Sequence, residues 1–141
     1  MAARLKLEEC FEAADWGYVI EASLLNPLSD RRFPESGSAV FKVDTGFSGP
    51  VMVTNDVFDM LGLSDIEAPE DLRPTYSTMK GPLTMRSAPA LLHLGGRTIE
   101  TDILTPYVAP SRMLIGFKVL RQLDLALIRD RACFLKIPRR S

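Results

Sequence analysis

The stretch VDTGFSGPV, residues 43–51, places a carboxylate, Asp44, at the end of an apolar run that is typical of a buried strand. Asp-Thr-Gly is also a common way to end a strand, because aspartate accepts hydrogen bonds from nearby backbone amides and glycine permits a positive φ. Taken alone, the tripeptide predicts a turn. Its context is more specific, since strand patterns flank it and a second apolar run that ends in glycine, MLIG at 113–116, follows about 70 residues later.

Turn signals divide the rest of the chain into short segments that favour strands. Gly95-Gly96 predicts a tight hairpin turn. Helical spacing marks residues 7–14, 117–123 and a short segment after Thr54, which is a good N-cap. The pattern indicates a mainly β domain with about eight short strands and two or three short helices. The strand patterns occupy residues 18–25, 38–44, 51–53, 90–94, 98–104, 125–128 and 132–137, together with 76–87, which is divided by Lys80-Gly81-Pro82.

The length and composition of the chain limit the classes of protein to which it can belong. The chain has 141 residues, which fits one domain, and a net charge of −1, which lacks the basic excess of a general nucleic-acid surface. No apolar run is long enough to predict a membrane span, and the first residues contain no apolar signal-peptide core. Cys10 and Cys133 are therefore expected to be free and reduced in a cytoplasmic protein.

Most familiar catalytic and binding motifs are missing from the sequence. The single histidine, His93, is expected to be an outward or half-buried strand residue. Residues 46–49 are one residue short of a nucleophile elbow, and no glycine-rich phosphate loop with its lysine occurs. Two cysteines and one histidine, scattered along the chain, do not suffice for a structural zinc site. Asp44 remains the residue to which chemistry can be assigned.

With these residues the chain resembles the retropepsin-like aspartic proteases, in particular their small single-domain archaeal and bacterial members. Residues 43–49 are similar to the catalytic loop of that family. Leu114-Ile115-Gly116-Phe117 is similar to its hydrophobic-hydrophobic-glycine signature and the helix that follows. The ending, residues 123–137, resembles the terminal hairpin, and Met79-Lys80-Gly81 falls where the family has its flap.

The resemblance implies a mainly β fold. We expect a retropepsin-like closed β-barrel of the acid-protease type with one or two short helices, forming the single-domain half of a pepsin-like dimer. This domain would span residues 17–141. Residues 1–16 would be an N-terminal extension with the spacing of a short helix.

The same resemblance implies an aspartic endopeptidase that needs no metal or cofactor. Two carboxyl groups must share a proton around one water, and the chain has a single Asp-Thr-Gly, so a homodimer with one Asp44 from each subunit is expected. Peptides or proteins with apolar side chains at the scissile bond are the expected substrates, with no nucleic-acid or membrane partner. The implied catalytic residues are Asp44, Thr45 and Gly46, and the implied substrate-binding residues are Phe47, Ser48, Gly49, Met79, Lys80, Gly81 and Gly116.

Two other interpretations stay open. The chain could be a non-proteolytic binding or assembly module on a retropepsin-like fold, which the atypical flap with Pro82 favours and the intact Asp-Thr-Gly disfavours. It could also be a β-barrel domain in which the tripeptide is only a turn. Phe47 stands where two-domain pepsins carry a hydroxyl residue, which would remove a hydrogen bond near the aspartate.

Overall fold

The computed structural model describes residues 6–78, 81–107 and 112–136. Within them the chain is mainly β, as the sequence predicts, with two short α-helices and two 3₁₀ turns. The strands are β1 (Lys6–Glu12), β2 (Val19–Leu25), β3 (Arg32–Phe33), β4 (Ala39–Asp44), β5 (Val51–Met52), β6 (Thr75–Thr78), β7 (Gly81–Leu94), β8 (Arg97–Pro106), β9 (Leu114–Gly116), β10 (Leu125–Ile128) and β11 (Arg131–Lys136). The helices are α1 (Asn55–Met60) and α2 (Phe117–Leu120), and the 3₁₀ turns are Leu63–Ile66 and Glu70–Leu72.

Eight strands form one sheet in the order β3-β2-β4-β9-β5-β8-β7-β6, and β2 also pairs with β7. The second pairing closes six strands, β2-β4-β9-β5-β8-β7, into a ring. Most of the largest buried side chains come from this ring and from α1, and they include Ile20, Phe41, Phe58 and Leu92. Each contributes roughly 1.5–3 kcal/mol through removal of apolar surface from water.

Strand β9 lies between two strands that are close together in sequence. It runs parallel to β4, with Val43 opposite Ile115, and antiparallel to β5, with Val51 opposite Ile115. A segment far along the chain thus enters between the two strands that flank the Asp-Thr-Gly loop. This insertion brings Asp44 and Gly116 next to each other.

Several turns and caps form as local sequence chemistry predicts. Gly95 and Gly96 have φ of 54° and 72° and join β7 to β8, as expected for a tight hairpin. The side chain of Thr54 accepts a hydrogen bond from the Val57 amide at 3.3 Å and caps α1. His93 is half-buried in β7, as predicted, and its Nδ1 lies 3.0 Å from the hydroxyl of Thr98.

The prediction of a helix at residues 7–14 is wrong. Residues 6–12 form strand β1, not a helix, and β1 pairs antiparallel with β11 in a separate three-stranded sheet, β1-β11-β10. Only Phe11 of β1 is buried, with its ring edge-on to Phe134 at a centroid distance of 6.0 Å. The apolar spacing of this segment suits a helix, but the partner strand supplies backbone hydrogen bonds that the local sequence does not reveal.

The expectation of free cysteines is also wrong. Cys10 and Cys133 form a disulfide across the β1–β11 pair, with their Cα atoms 4.0 Å apart and a separation of 123 positions in sequence. The two residues lie directly opposite each other in the register of the sheet. Their separation along the chain hid this pairing, because only the tertiary fold brings the two strands together.

Candidate active site

Asp44 is the last residue of β4 and is half-buried. The amide of Gly46 donates a hydrogen bond to its Oδ1 at 3.1 Å, and the amide of Phe47 donates to its backbone carbonyl oxygen at 3.3 Å. The loop therefore folds back on the aspartate and orients the carboxylate. Thr45 and Gly46 are exposed beside it.

The loop that carries the aspartate is held from behind by the junction of β9 and α2. The Gly116 amide donates to the Pro50 carbonyl oxygen at 2.6 Å, and the Phe117 amide donates to the Phe47 carbonyl oxygen at 2.7 Å. A Cβ on Gly116 would lie 2.6 Å from Cδ2 of Phe47 and would overlap the carbonyl oxygen of Gly49. Glycine is needed here for close approach of two backbones.

The three predicted substrate-binding residues of this loop differ in exposure. Ser48 is exposed, whereas Phe47 and Gly49 are buried. The Phe47 ring is 6% exposed and packs against the ring of Tyr76 in β6, with 5.6 Å between centroids. The sequence gives no sign of this partner, because the two residues belong to separate segments. Phe47, Met52, Met85 and Leu104 form a second apolar cluster, against which Tyr76, Leu83 and Leu114 pack.

Known structures share this arrangement of strands. A retropepsin-like aspartic protease from Rickettsia conorii matches with a TM-score of 0.60 and 13% identity, over 97% of this chain and 97% of that one. The chain has the retropepsin-like fold. EIAV protease complexed with the inhibitor HBY-793 matches with a TM-score of 0.54 and 17% identity, over 78% of this chain and 90% of that one. At such low identities the likeness establishes the fold, and activity has to be argued from the site.

Comparisons by sequence match a smaller part of the chain than comparisons by structure. No protein-family profile matches the chain. An uncharacterised protein from Archaeoglobus fulgidus is 46% identical over 48 residues, which are 34% of this chain and 38% of that protein. The match therefore spans well under half the length of that relative.

The retropepsin-like fold here carries an outer hairpin, formed by β6 and the first part of β7. Tyr76 lies opposite Leu83, and Thr78 lies opposite Gly81. The predicted pair of strands is thus present, while its role as a flap stays a prediction. Met79 and Lys80, which were expected to bind substrate, lie outside the described residues. Gly81 is the first residue of β7.

Arg86 of β7 fastens the base of this hairpin to α1 and to the segment that follows α1. Its guanidinium donates to both carboxylate oxygens of Glu67, at 3.1 and 2.8 Å, and to Asp59 at 3.1 Å. It also lies 4.5 Å above the ring centroid of Phe58. The hydrogen bond from Arg86 lowers the pKa of Glu67, and burial of Glu67 opposes this shift. The sequence gives no sign of this group of charges, because its members lie in separate segments of the chain.

The environment of Tyr76 is unusual for a surface hairpin. Burial raises the pKa of its phenol, and the negative charge of Asp102 raises it further. The side chain is therefore neutral at ordinary pH and acts mainly as a packing partner of Phe47. It links the outer hairpin to the loop that carries the aspartate.

The described residues contain no group of three or more His, Cys, Asp or Glu side chains arranged to hold a metal ion. None of the helices described in residues 6–78, 81–107 and 112–136 is long and apolar enough to cross a membrane.

Proposed function

We propose that this chain is an aspartic endopeptidase that acts as a homodimer. The observation that supports this most directly is the position of Asp44. It is a half-buried carboxylate at the tip of β4, on a loop held by Gly116, in a chain with the retropepsin-like fold. Exposed Thr45 and Gly46 stand beside it and leave that side of the loop open to a second subunit.

The chemistry requires two carboxyl groups close together. Two adjacent carboxylates cannot both ionise without a large cost, so the pair holds one proton and titrates as a unit. The ionised group takes a proton from a water molecule placed between the two. The neutral group donates a hydrogen bond to the scissile carbonyl oxygen and stabilises the tetrahedral intermediate.

One chain offers one Asp-Thr-Gly, and a twofold axis supplies the second. In a C₂ dimer the same surface meets itself, so Asp44 of each subunit comes to the axis together with its own loop. Gly46 would let the two loops approach closely, since it carries no Cβ. The hydroxyl of Thr45 makes no hydrogen bond within the described residues and would be free to bind the loop of the partner.

A second candidate function is a non-proteolytic binding or assembly module. The pair of Phe47 and Tyr76 favours it, because their rings occupy space between the aspartate loop and the outer hairpin. A substrate chain in the usual cleft would have to pass close to this space. Such a module would form a dimer or bind a partner without any need for the Asp44 carboxylate.

Digestion of a diverse peptide library at several pH values between about 3.5 and 7 tests the two functions. Wild type, Asp44→Asn and Asp30→Asn are compared, with products identified by mass spectrometry. Asp30 is an exposed aspartate in the loop after β2 and serves as the matched control. We expect cleavage by wild type and Asp30→Asn and at least a thousandfold loss in Asp44→Asn, about 4 kcal/mol in the barrier.

The oligomeric state is measured on the same samples by sedimentation. If wild type is a folded dimer and cleaves no peptide at any pH, the endopeptidase proposal fails and the binding module is preferred. If Asp44→Asn retains full cleavage, Asp44 is not the catalytic carboxylate.

A further inference from the structure

Asp44 shares one face of β4 with a basic residue. Phe41 is buried and Val43 packs against the core, so the alternate residues of this strand face away from it. These alternate residues are Val40, which is exposed, and Lys42 and Asp44, which are half-buried. Residues two apart on a strand are about 6.6 Å apart. Lys42 therefore stands next to the aspartate on the same side of the sheet.

The neighbouring strand brings a second basic residue to this face. Lys42 lies opposite Leu114 in the parallel pair of β4 and β9, just as Asp44 lies opposite Gly116. The Lys42 amide donates to the Met113 carbonyl oxygen at 2.9 Å, which fixes the chain before β9 against β4. Arg112 is only two residues before Leu114.

An aromatic residue completes the group. The guanidinium of Arg112 lies 4.2 Å from the ring centroid of Trp16, which belongs to the turn before β2. In the same turn, a Cβ on Gly17 would lie 3.4 Å from Cε of Lys42, so the stem of that lysine crosses the turn. Three segments distant in sequence thus converge on Lys42, which neighbours Asp44 on the same face of β4. We call Trp16, Lys42 and Arg112 the basic wall.

The charges of the basic wall are not neutralised within the described residues. Neither Lys42 nor Arg112 forms an ion pair there, whereas Arg73 and Arg86 both have Glu67 as a partner. Arg112 is exposed and Lys42 is half-buried. Two cations of like charge repel, and an anion that binds between them relieves this repulsion.

We infer that the basic wall is a specificity site for an acidic side chain next to the scissile peptide bond. The inference rests on the proposed function, because it places the scissile bond at Asp44. A carboxylate on a substrate residue adjacent to that bond would lie within reach of Lys42, given the spacing of about 6.6 Å along β4. Charge-assisted hydrogen bonds from lysine and arginine are the stronger kind. The preference departs from the apolar one expected from the sequence.

In the proposed dimer each subunit contributes one basic wall, and the two walls flank the paired aspartates on opposite sides. A substrate chain would meet a positive charge on either side of its scissile bond. The ring of Trp16 contacts one face of the Arg112 guanidinium and helps to hold it in place.

Peptide binding to the Asp44→Asn protein tests the inference without relying on cleavage. Fluorescent peptides that carry Glu or Gln at the residues flanking one central bond are titrated, and their anisotropy is measured at low and high salt. We expect the Glu peptide to bind about tenfold or more tightly than the Gln peptide, a difference of about 1.4 kcal/mol or more, since hydrogen bonds between charged groups are stronger than those between neutral ones. Salt should reduce the difference.

Variants identify the residues responsible. Adding Lys42→Met, which keeps the lysine stem over Gly17, or Arg112→Gln should each remove most of the preference for Glu. Lys136→Met, an exposed lysine at the end of β11, is the matched control and should leave it unchanged. Lys42→Glu with Arg112→Glu should reverse the preference toward a Lys peptide.

The possible outcomes separate this inference from the proposed function. Equal binding of the Glu and Gln peptides, or no binding of either up to about 1 mM, overturns the inference. Retention of the Glu preference in Lys42→Met and Arg112→Gln also overturns it. Cleavage by wild type decides the endopeptidase proposal separately. If the Glu preference depends on the basic wall but wild type cleaves nothing, the basic wall is supported as a site for an acidic side chain. The endopeptidase proposal is then not supported.

Discussion

The aspartate loop and the terminal sheet are both held in place by a segment distant in sequence, but by different means. The loop is held by the β9–α2 junction, through backbone hydrogen bonds and a contact so close that a Cβ at position 116 would force the loop to shift. The terminal sheet is held by the disulfide between Cys10 and Cys133 and by one buried ring on β1, that of Phe11. Close packing positions the first region, whereas a covalent bond secures the second.

Because the two regions are held by different interactions, they should respond to different perturbations. Where two backbones pack closely there is no free volume for another atom, so a single added methyl group displaces the loop. The terminal strand β1 has mostly exposed side chains and depends on its ladder, Phe11 and the disulfide. It therefore depends on redox conditions, while the loop does not.

Removal of one buried ring from each region should have the largest effect. Phe47→Ala and Phe11→Ala should each lower the free energy of unfolding by about 3–5 kcal/mol, because each ring is buried and packs on an aromatic partner. Chemical denaturation measures the cost. Amide hydrogen exchange should show faster opening of β6 in Phe47→Ala and of β1 in Phe11→Ala. Loosening of the same segments by both substitutions would contradict the separation of the two regions.

Loss of the disulfide should have the second-largest effect on stability. Reduction of the protein, or replacement of both cysteines by serine, should lower the free energy of unfolding by about 2–5 kcal/mol, since the bond links residues 123 positions apart and closes a long loop in the unfolded chain. Urea unfolding with and without dithiothreitol measures this. The double-serine variant is the control and should not respond to the reductant. An unchanged midpoint in reduced wild type would show that the disulfide does not stabilise the terminal sheet.

An added methyl group in the loop region should have the smallest effect of the three. Gly116→Ala should cost about 1–3 kcal/mol, because its Cβ meets Phe47 and the backbone of Gly49. Ser48→Ala is the control in the same loop. Ser48 is exposed, so its substitution should cost less than about 1 kcal/mol. Equal stability of the two variants in thermal unfolding would show that the β9–α2 junction is not tightly packed against the loop.

Much of the fold could be predicted from the sequence. The strand before Asp44, the Gly95-Gly96 hairpin and the Thr54 cap depend on interactions among a few neighbouring residues, and such interactions can be recognised in a short stretch of sequence. The order of the Asp-Thr-Gly loop and the later Leu-Ile-Gly segment also indicated the retropepsin-like fold. The catalytic role of Asp44 and the dimer remain predictions.

Other features depend on the tertiary structure. The sequence alone specifies the local turns, most strands and the residues able to do chemistry, because these depend on backbone preferences and on side-chain type. It did not determine that β1 pairs with β11 or that the two cysteines meet. Nor did it show that Phe47 is buried against Tyr76, or that Trp16 and Arg112 stand beside Lys42. Each of these contacts joins segments far apart along the chain, and which of them form depends on how the whole core packs.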